Sequence, residues 1–424
     1  MNIKNQSPGT AKCRVVITGY GCVTPLGNTV AESWDSIVQY RCGYSTWEPD
    51  DPSIKAKFFG KVDIDDKILK RIPAAVRRAL PRFARYTAIA AGEAMSMAFG
   101  EHKPGAFYAP TDCGVIIGTG WGGLDEGYEC HDRYLGTGFG SPLGSLLTMP
   151  NVATAACSLI WELRGYQNTP VAACATGTIA IGDAANVIRS GRAKMMLAGG
   201  AEALNSRTNV WNIDILQALS KEQTDIEKAC CPFSKARSGF VLSEGAAVLV
   251  LEDLESALQR GARILGEITG YGNYSDARDF TAPAEDMVAR VAAIQAALSD
   301  AAIHASQIDY INAHGTSTPL NDENETASIK TALGDAAYGI PASSTKSYSG
   351  HLIAAAGSFE AIVCLKTIET GLIPATIHLN EPDPTCDLDY VPNCHREAQV
   401  DTALNLSFGF GGANAALVIE GFRP

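Results

Sequence analysis

Short β-branched runs closed by glycine, alternating with helical stretches, recur along this chain and leave it few folds to adopt. Arg14-Val15-Val16-Ile17-Thr18-Gly19 is the first such run, and Cys113-Gly114-Val115-Ile116-Ile117-Gly118 is the second. Val171-Ala172-Ala173 reads as a strand running into Cys174-Ala175-Thr176-Gly177 and a helix from about Thr178 to Ser190, stopped by Gly191. Lys194 to Ala198 and Gly239 to Leu251 are further strands. Beyond Ile264 the alternation starts again: strands at Ile264 to Tyr271, Asp309 to Ala313 and Ala403 to Ser407, helices at Glu285 to Asp300 and Asn321 to Leu333, and one ending near Gly371. This order predicts an α/β fold with largely parallel central sheets, in two halves covering residues 1–262 and 263–424. Residues 124–150 are Gly-rich and read as irregular. Each half sets a reactive residue just past a strand end, where open α/β sheets hold ligands.

Composition narrows the function. Across 424 residues there are 34 Lys and Arg against 46 Asp and Glu, a formal net charge of −12. So acidic a chain is a poor phosphate binder, and nucleic acid is excluded as an expected partner. No apolar run approaches 18 residues, and Met1 to Lys12 is polar, so the expectation is a cytoplasmic protein with neither a signal nor a membrane span. The 12 cysteines form no C-x-x-C pair and the 7 histidines no H-E-x-x-H, so no metal site is expected.

Three places carry residues fit for chemistry. Cys174 stands at a strand-to-helix turn, where the helix dipole and backbone N–H groups favour a thiolate. The alternative is one more buried cysteine. His314 follows a strand end and opens a Gly-Thr-Ser-Thr-Pro run that suits a polar ligand arm; a structural loop histidine is the competing reading. Lys346 and His351 lie five residues apart in a Ser- and Gly-rich loop. A lysine near a histidine keeps the ring neutral, so that it can donate a hydrogen bond to a developing oxyanion. Gly409-Phe410-Gly411-Gly412, flanked by Phe408, has the composition of a mobile loop and lacks the features of a nucleotide loop.

In order, Cys174-Ala-Thr-Gly, Asn312-Ala-His314-Gly-Thr-Ser-Thr-Pro, Ser344-Thr-Lys346-Ser-Tyr-Ser-Gly-His351 and Ser407-Phe-Gly-Phe-Gly-Gly-Ala-Asn414 form a pattern. Together they closely resemble the elongating β-ketoacyl-acyl-carrier-protein synthases of the thiolase superfamily. Gly199-Gly-Ala-Glu202 and Arg237-Ser-Gly-Phe-Val-Leu-Ser-Glu-Gly245 match further landmarks of that family.

The resemblance implies a thiolase-like, duplicated α-β-α-β-α sandwich, dimeric, needing no cofactor because its substrates arrive on the phosphopantetheine of acyl carrier protein. It implies Cys174 as the acyl-accepting nucleophile, His314 and His351 as the groups serving malonyl decarboxylation, and Lys346 as the charge that sets them. The N–H groups of Cys174 and Phe410 would form the oxyanion hole. Phe410 would be the gate, with Phe408 beside it and Asp276 and Thr281 on a loop moving with it. Thr316 and Thr318 would bind the pantetheine arm, and Trp121 would face the acyl channel. Carrier docking falls to the basic residues Arg77, Arg78, Arg82 and Arg85. Several positions depart from the fatty-acid pattern: Ala173 and Ala175 flank the nucleophile, Trp121 replaces a smaller aliphatic residue, Gln217 stands where an arginine is usual, and the Gly136–Ser145 stretch lacks a basic pair. These departures weigh against a standard housekeeping role, so the expected function is condensation in fatty-acid or type II polyketide or polyene elongation, as a homodimer or a heterodimer; a ketosynthase active only beside a chain-length-factor homologue is the close alternative. An inactive assembly subunit and a cysteine thioesterase are the remote alternatives.

Overall fold

The computed structural model describes residues 13–47 and 52–424, so the polar segment Met1 to Lys12 lies outside the described residues. Ten strands form one mixed sheet. In chain order they are β1 (Val15–Val23), β2 (Cys113–Gly118), β3 (Gln167–Asn168), β4 (Met195–Glu202), β5 (Gly245–Asp253), β6 (Gly266–Ser275), β7 (Tyr310–Asn312), β8 (Ala342–Ser343), β9 (Thr402–Gly409) and β10 (Ala413–Glu420). Their spatial order is β8-β7-β9-β10-β6-β1-β5-β4-β2-β3. Strand n of the first five has the same neighbours, in the same sense, as strand n + 5. The two sets meet only where β1 and β6 pair, at Val16 with Glu267 and Ile17 with Gly266.

The expected largely parallel sheet is corrected. Five of the nine strand pairings are antiparallel and four are parallel. The reason is connection length. Only Phe410–Gly412 separates β9 from β10, which leaves room for a hairpin and none for a crossover helix.

Among the described residues, seven helices run to ten residues or more: α1 (Arg82–Phe99), α2 (Leu124–Thr137), α3 (Val152–Trp161), α4 (Thr176–Arg189), α5 (Val288–Ala301), α6 (Pro319–Leu333) and α7 (Ala356–Thr370). Helices α4 and α7 touch each other and strands of both sets, so they form the middle layer. Helix α1 covers β1 and β5 on one outer face, and α5 covers β6 and β10 on the other. The result is the expected α-β-α-β-α stack. Helix α2 corrects the irregular reading of 124–150. Its internal glycines suggested a loop, but Gly127 packs against Thr148, and Gly138, at φ +74°, supplies the left-handed cap that ends the helix. Among the described residues, no helix is long and apolar enough to cross a membrane.

Candidate active site

Val171–Ala173 is not a strand, because pairing ends at Asn168. The chain instead kinks at Ala173 (φ +46°), makes one tight turn over Ala173–Ala175 and enters α4. A left-handed alanine is strained, and here that strain aims Cys174. The second set repeats the device, with Ile353 at φ +50° and a tight turn over Ile353–Ala355 entering α7. Helices α4 and α7 pack closely through glycines. A Cβ on Gly177 would fall 2.8 Å from the Ala354 carbonyl oxygen, and one on Gly357 would fall 2.0 Å from Thr178 Oγ1.

This packing brings together the residues that the sequence separates. The donor atoms of Cys174, His314 and His351 all lie within 4.8 Å of one another, and all three residues are buried. Lys346 Nζ donates to the His314 carbonyl oxygen at 2.6 Å and to Glu360 Oε1 at 2.5 Å, and lies 3.4 Å from His314 Nδ1. The Ile353 N–H donates to His351 Nδ1 at 3.1 Å. Burial first and the Lys346 charge second hold both imidazoles well below their ordinary proton affinity, so both are neutral. With each Nδ1 facing a donor, the ring hydrogens are assigned to Nε2. His351 Nε2 is buried and has no partner, so a hydrogen bond is free for an incoming oxygen.

Cys174 departs from expectation. The charge of Lys346 and the N–H groups of Phe410 and Cys174 itself favour a thiolate, but burial outweighs them and pushes the thiol up to about 12. The dipole argument from sequence left out desolvation. The three donors are also of the kinds that bind Zn²⁺. A cation among them would face the charge of Lys346, which makes this a poor metal centre.

The Gly loop leans directly on the nucleophile. A Cβ on Gly409 would lie 3.1 Å from the Cys174 nitrogen and 2.8 Å from the Ala172 oxygen, so only glycine fits without displacing the turn. Asp276 braces this loop: its N–H donates to the Gly412 carbonyl oxygen at 2.9 Å and its Oδ1 accepts from Asn414 at 2.8 Å. The Phe408 ring stands 5.9 Å from that of His314.

A cavity of about 320 Å³ opens onto this centre. Its walls include Cys174, His314, His351, Phe408 and Phe410, together with Thr316, Thr318, Asp276 and Thr281.

Residues 12–257 match the family described as beta-ketoacyl synthase, N-terminal domain, and residues 265–380 match its C-terminal domain. The chain belongs to the beta-ketoacyl synthase family. Along 417 residues it is 39% identical to a 3-oxoacyl-[acyl-carrier-protein] synthase 2 of Synechocystis, covering 97% of this chain and 99% of that one. Among solved structures it is similar to the ketosynthase complex AntDE:AntF, a type II polyketide ketosynthase with its acyl-carrier protein (TM-score 0.87, 34% identity, 97% and 100% coverage). It is also similar to the ishigamide ketosynthase/chain length factor (TM-score 0.86, 32% identity, 97% and 100% coverage). The fold is therefore the ketosynthase fold, and this beta-ketoacyl synthase is a condensing acyltransferase.

Not every expected residue of the synthase joins the cavity. Trp121 does not line it; the indole packs on the apolar cluster that holds Cys174, Phe240 and Ile353. Thr316 and Thr318 do line it, hydrogen-bonded to each other at 2.9 Å, and Thr318 also caps α6. The four arginines expected to dock the carrier do not share one exposed face. Arg82 is drawn inward to Asp125 at 2.6 Å, to Asn205 and to the Ala203 carbonyl oxygen, with Glu244 at 3.9 Å. Arg77 and Arg85 are half-buried, each with a donor on a backbone oxygen, and Arg78 alone is exposed. None of the four lines the cavity.

Sequence reasoning also missed Glu325, Glu360 and Arg290. Glu325 accepts from the N–H groups of His314 and Gly315 at 2.7 and 2.8 Å and so fixes the histidine loop. A signal was present, because Glu360 and Arg290 are charges inside otherwise apolar helical stretches, where an unpaired charge is costly.

Proposed function

We propose that this synthase elongates an acyl chain by decarboxylative Claisen condensation, with both substrates carried on acyl carrier protein. The observation that carries this reading is one thiol beside two neutral imidazoles, at a turn where two backbone N–H groups converge. In the first half-reaction the sulfur of Cys174 attacks the carrier thioester, its proton passes to the departing carrier sulfur, the carrier thiol leaves and the acyl chain stays on Cys174. In the second, malonyl thioester loses CO2, and the electron pair of the broken C–C bond moves to the thioester oxygen. His314 and His351 receive that oxygen on Nε2–H. The enolate carbon then attacks the Cys174 thioester, whose oxygen turns to the N–H groups of Cys174 and Phe410, and the Cys174 sulfur departs. Thr316 and Thr318 line the path of the pantetheine arm, with Phe410 as its gate. An inactive assembly subunit has no use for a nucleophile, and a thioesterase needs a held water and has no need of Lys346 and two histidines together.

Within this reading the enzyme works in the cytoplasm, pairs through the β3 edge with a second copy or a chain-length-factor homologue, and meets its acidic carrier at Arg78. Trp121, packed against the Cys174 cluster, shortens or flattens the acyl pocket.

The test is mass spectrometry of Cys174 with carrier proteins bearing short and long chains, with and without the partner subunit. Cys174 is expected to gain the acyl mass. Cys174→Ser is expected to gain none. His314→Ala and His351→Ala are expected to stay acylatable and to lose malonyl decarboxylation by about 10²–10³-fold, as for loss of one oxyanion donor. Acylation of another cysteine, or unimpaired condensation by either histidine variant, refutes the assignment.

A further inference from the structure

One buried charge in the cavity has no task in the reaction just described. Arg290, in the first turn of α5, is only 5% exposed, and its Nε and Nη1 have no hydrogen-bond partner. It lines the same cavity as Cys174 and His314, and its guanidinium lies 4.3 Å over the ring of Phe408. The carboxyl groups of Glu325, Asp276 and Asp322 attract it, yet each is engaged elsewhere. Glu325 holds the N–H groups of His314 and Gly315, Asp276 those of Asn414 and Ala284, and Asp322 that of Phe233. Burial lowers Arg290 to about 10, so it stays charged at neutral pH. Contact with Phe408 accounts for the face of the guanidinium and leaves its edge donors unused. A charged guanidinium in a cavity wall, with N–H donors left unpaired, suits a planar anion, and a carboxylate above all.

We propose that Arg290 receives the carboxylate of the malonyl unit inside the cavity and so distinguishes the extender from the neutral acyl chain. The inference rests on the condensing function proposed above. While the carboxylate is intact, its charge faces Arg290. As its bond to the methylene carbon breaks, the electron pair moves to the thioester oxygen near the histidines, and neutral CO2 is left beside the guanidinium. The contact is therefore stronger before the transition state than in it. Arg290 is a binding and selecting group, and its loss should act on KM more than on kcat.

The experiment compares wild type with Arg290→Met, Arg290→Gln and Arg290→Lys, using malonyl carrier protein and, separately, acyl transfer to Cys174. For Arg290→Met and Arg290→Gln the malonyl KM should rise tenfold or more, with kcat within threefold of wild type. Acyl transfer should change less than the malonyl KM does, and Arg290→Lys should recover part of the loss. Arg290→Met should unfold no lower than wild type, because it removes a buried charge that lacks a partner. If Arg290→Met does not fold, the Gln and Lys variants still decide. An unchanged malonyl KM overturns the proposal. So does an equal fall in acyl transfer and condensation, which would mean that Arg290 only holds Phe408. If wild type consumes no malonyl carrier protein at all, the condensing reading falls first and this one with it.

Discussion

At Cys174, burial and charge pull in opposite directions, and burial wins. Lys346, Phe410 and the residue's own N–H favour the thiolate, yet the thiol is pushed up to about 12. A group raised this far holds its proton through neutrality and gives it up only in strong alkali. In the substrate-free enzyme, alkylation of Cys174 by iodoacetamide should rise about tenfold per pH unit between pH 7 and 10, following the thiolate fraction. A plateau near pH 7 would show a pre-formed thiolate and reject this account. The sequence was readable at this scale where a residue type carries its own chemistry: the cysteine at its turn, the two histidines and the lysine. It was silent where the effect comes from surroundings. Nothing local to Cys174 announces that it is buried, and nothing near Arg82 shows that Asp125 and Glu244 lie across the fold to take it off the surface.

Among the elements, the α4–α7 contact sets the site. Gly177 and Gly357 let the two helices approach closely, and Thr178 Oγ1 of α4 reaches Ser407 Oγ of β9 at 2.7 Å. In the Gly357→Ala variant the new methyl would land on Thr178, so the helices must separate. The expected outcome is a loss of about 1–3 kcal/mol in stability, the usual scale for overpacking, with slower acylation of Cys174, read by thermal melting and by thioester formation. A variant as stable and as fast as wild type would show that the contact yields freely. Strand and helix alternation was legible here, because β-branched runs and small-residue helices differ in period. Strand direction was not, since it depends on which elements pair. Helix α2 was missed because its glycines mimic a loop when their packing partner, Thr148, is unknown.

For the whole molecule, the sheet has an open end. Strand β3, two exposed residues long, is its last strand, and Leu159 and Val171 stand 72% and 58% exposed beside it in the sequence. Open edges with apolar neighbours invite a second chain. Light scattering should find a species of two chains, either two copies of this 44.7 kDa chain or one copy joined to an added chain-length-factor homologue. Leu159→Asp with Val171→Asp should return it to single chains, whereas an assembly that survives both changes would place the interface elsewhere. The matched strand order also extends to the turn that enters each buried helix. The left-handed kink at Ala173 presents a cysteine, and its counterpart at Ile353 presents Ala354, which has no reactive group. The two sets thus match in backbone and differ in what the turn offers: one presents a thiol, the other a methyl group on a residue whose carbonyl oxygen packs against Gly177 and Gly200. The backbone repeat does not carry the chemistry with it, because a single side chain at the turn decides which set can hold an acyl group.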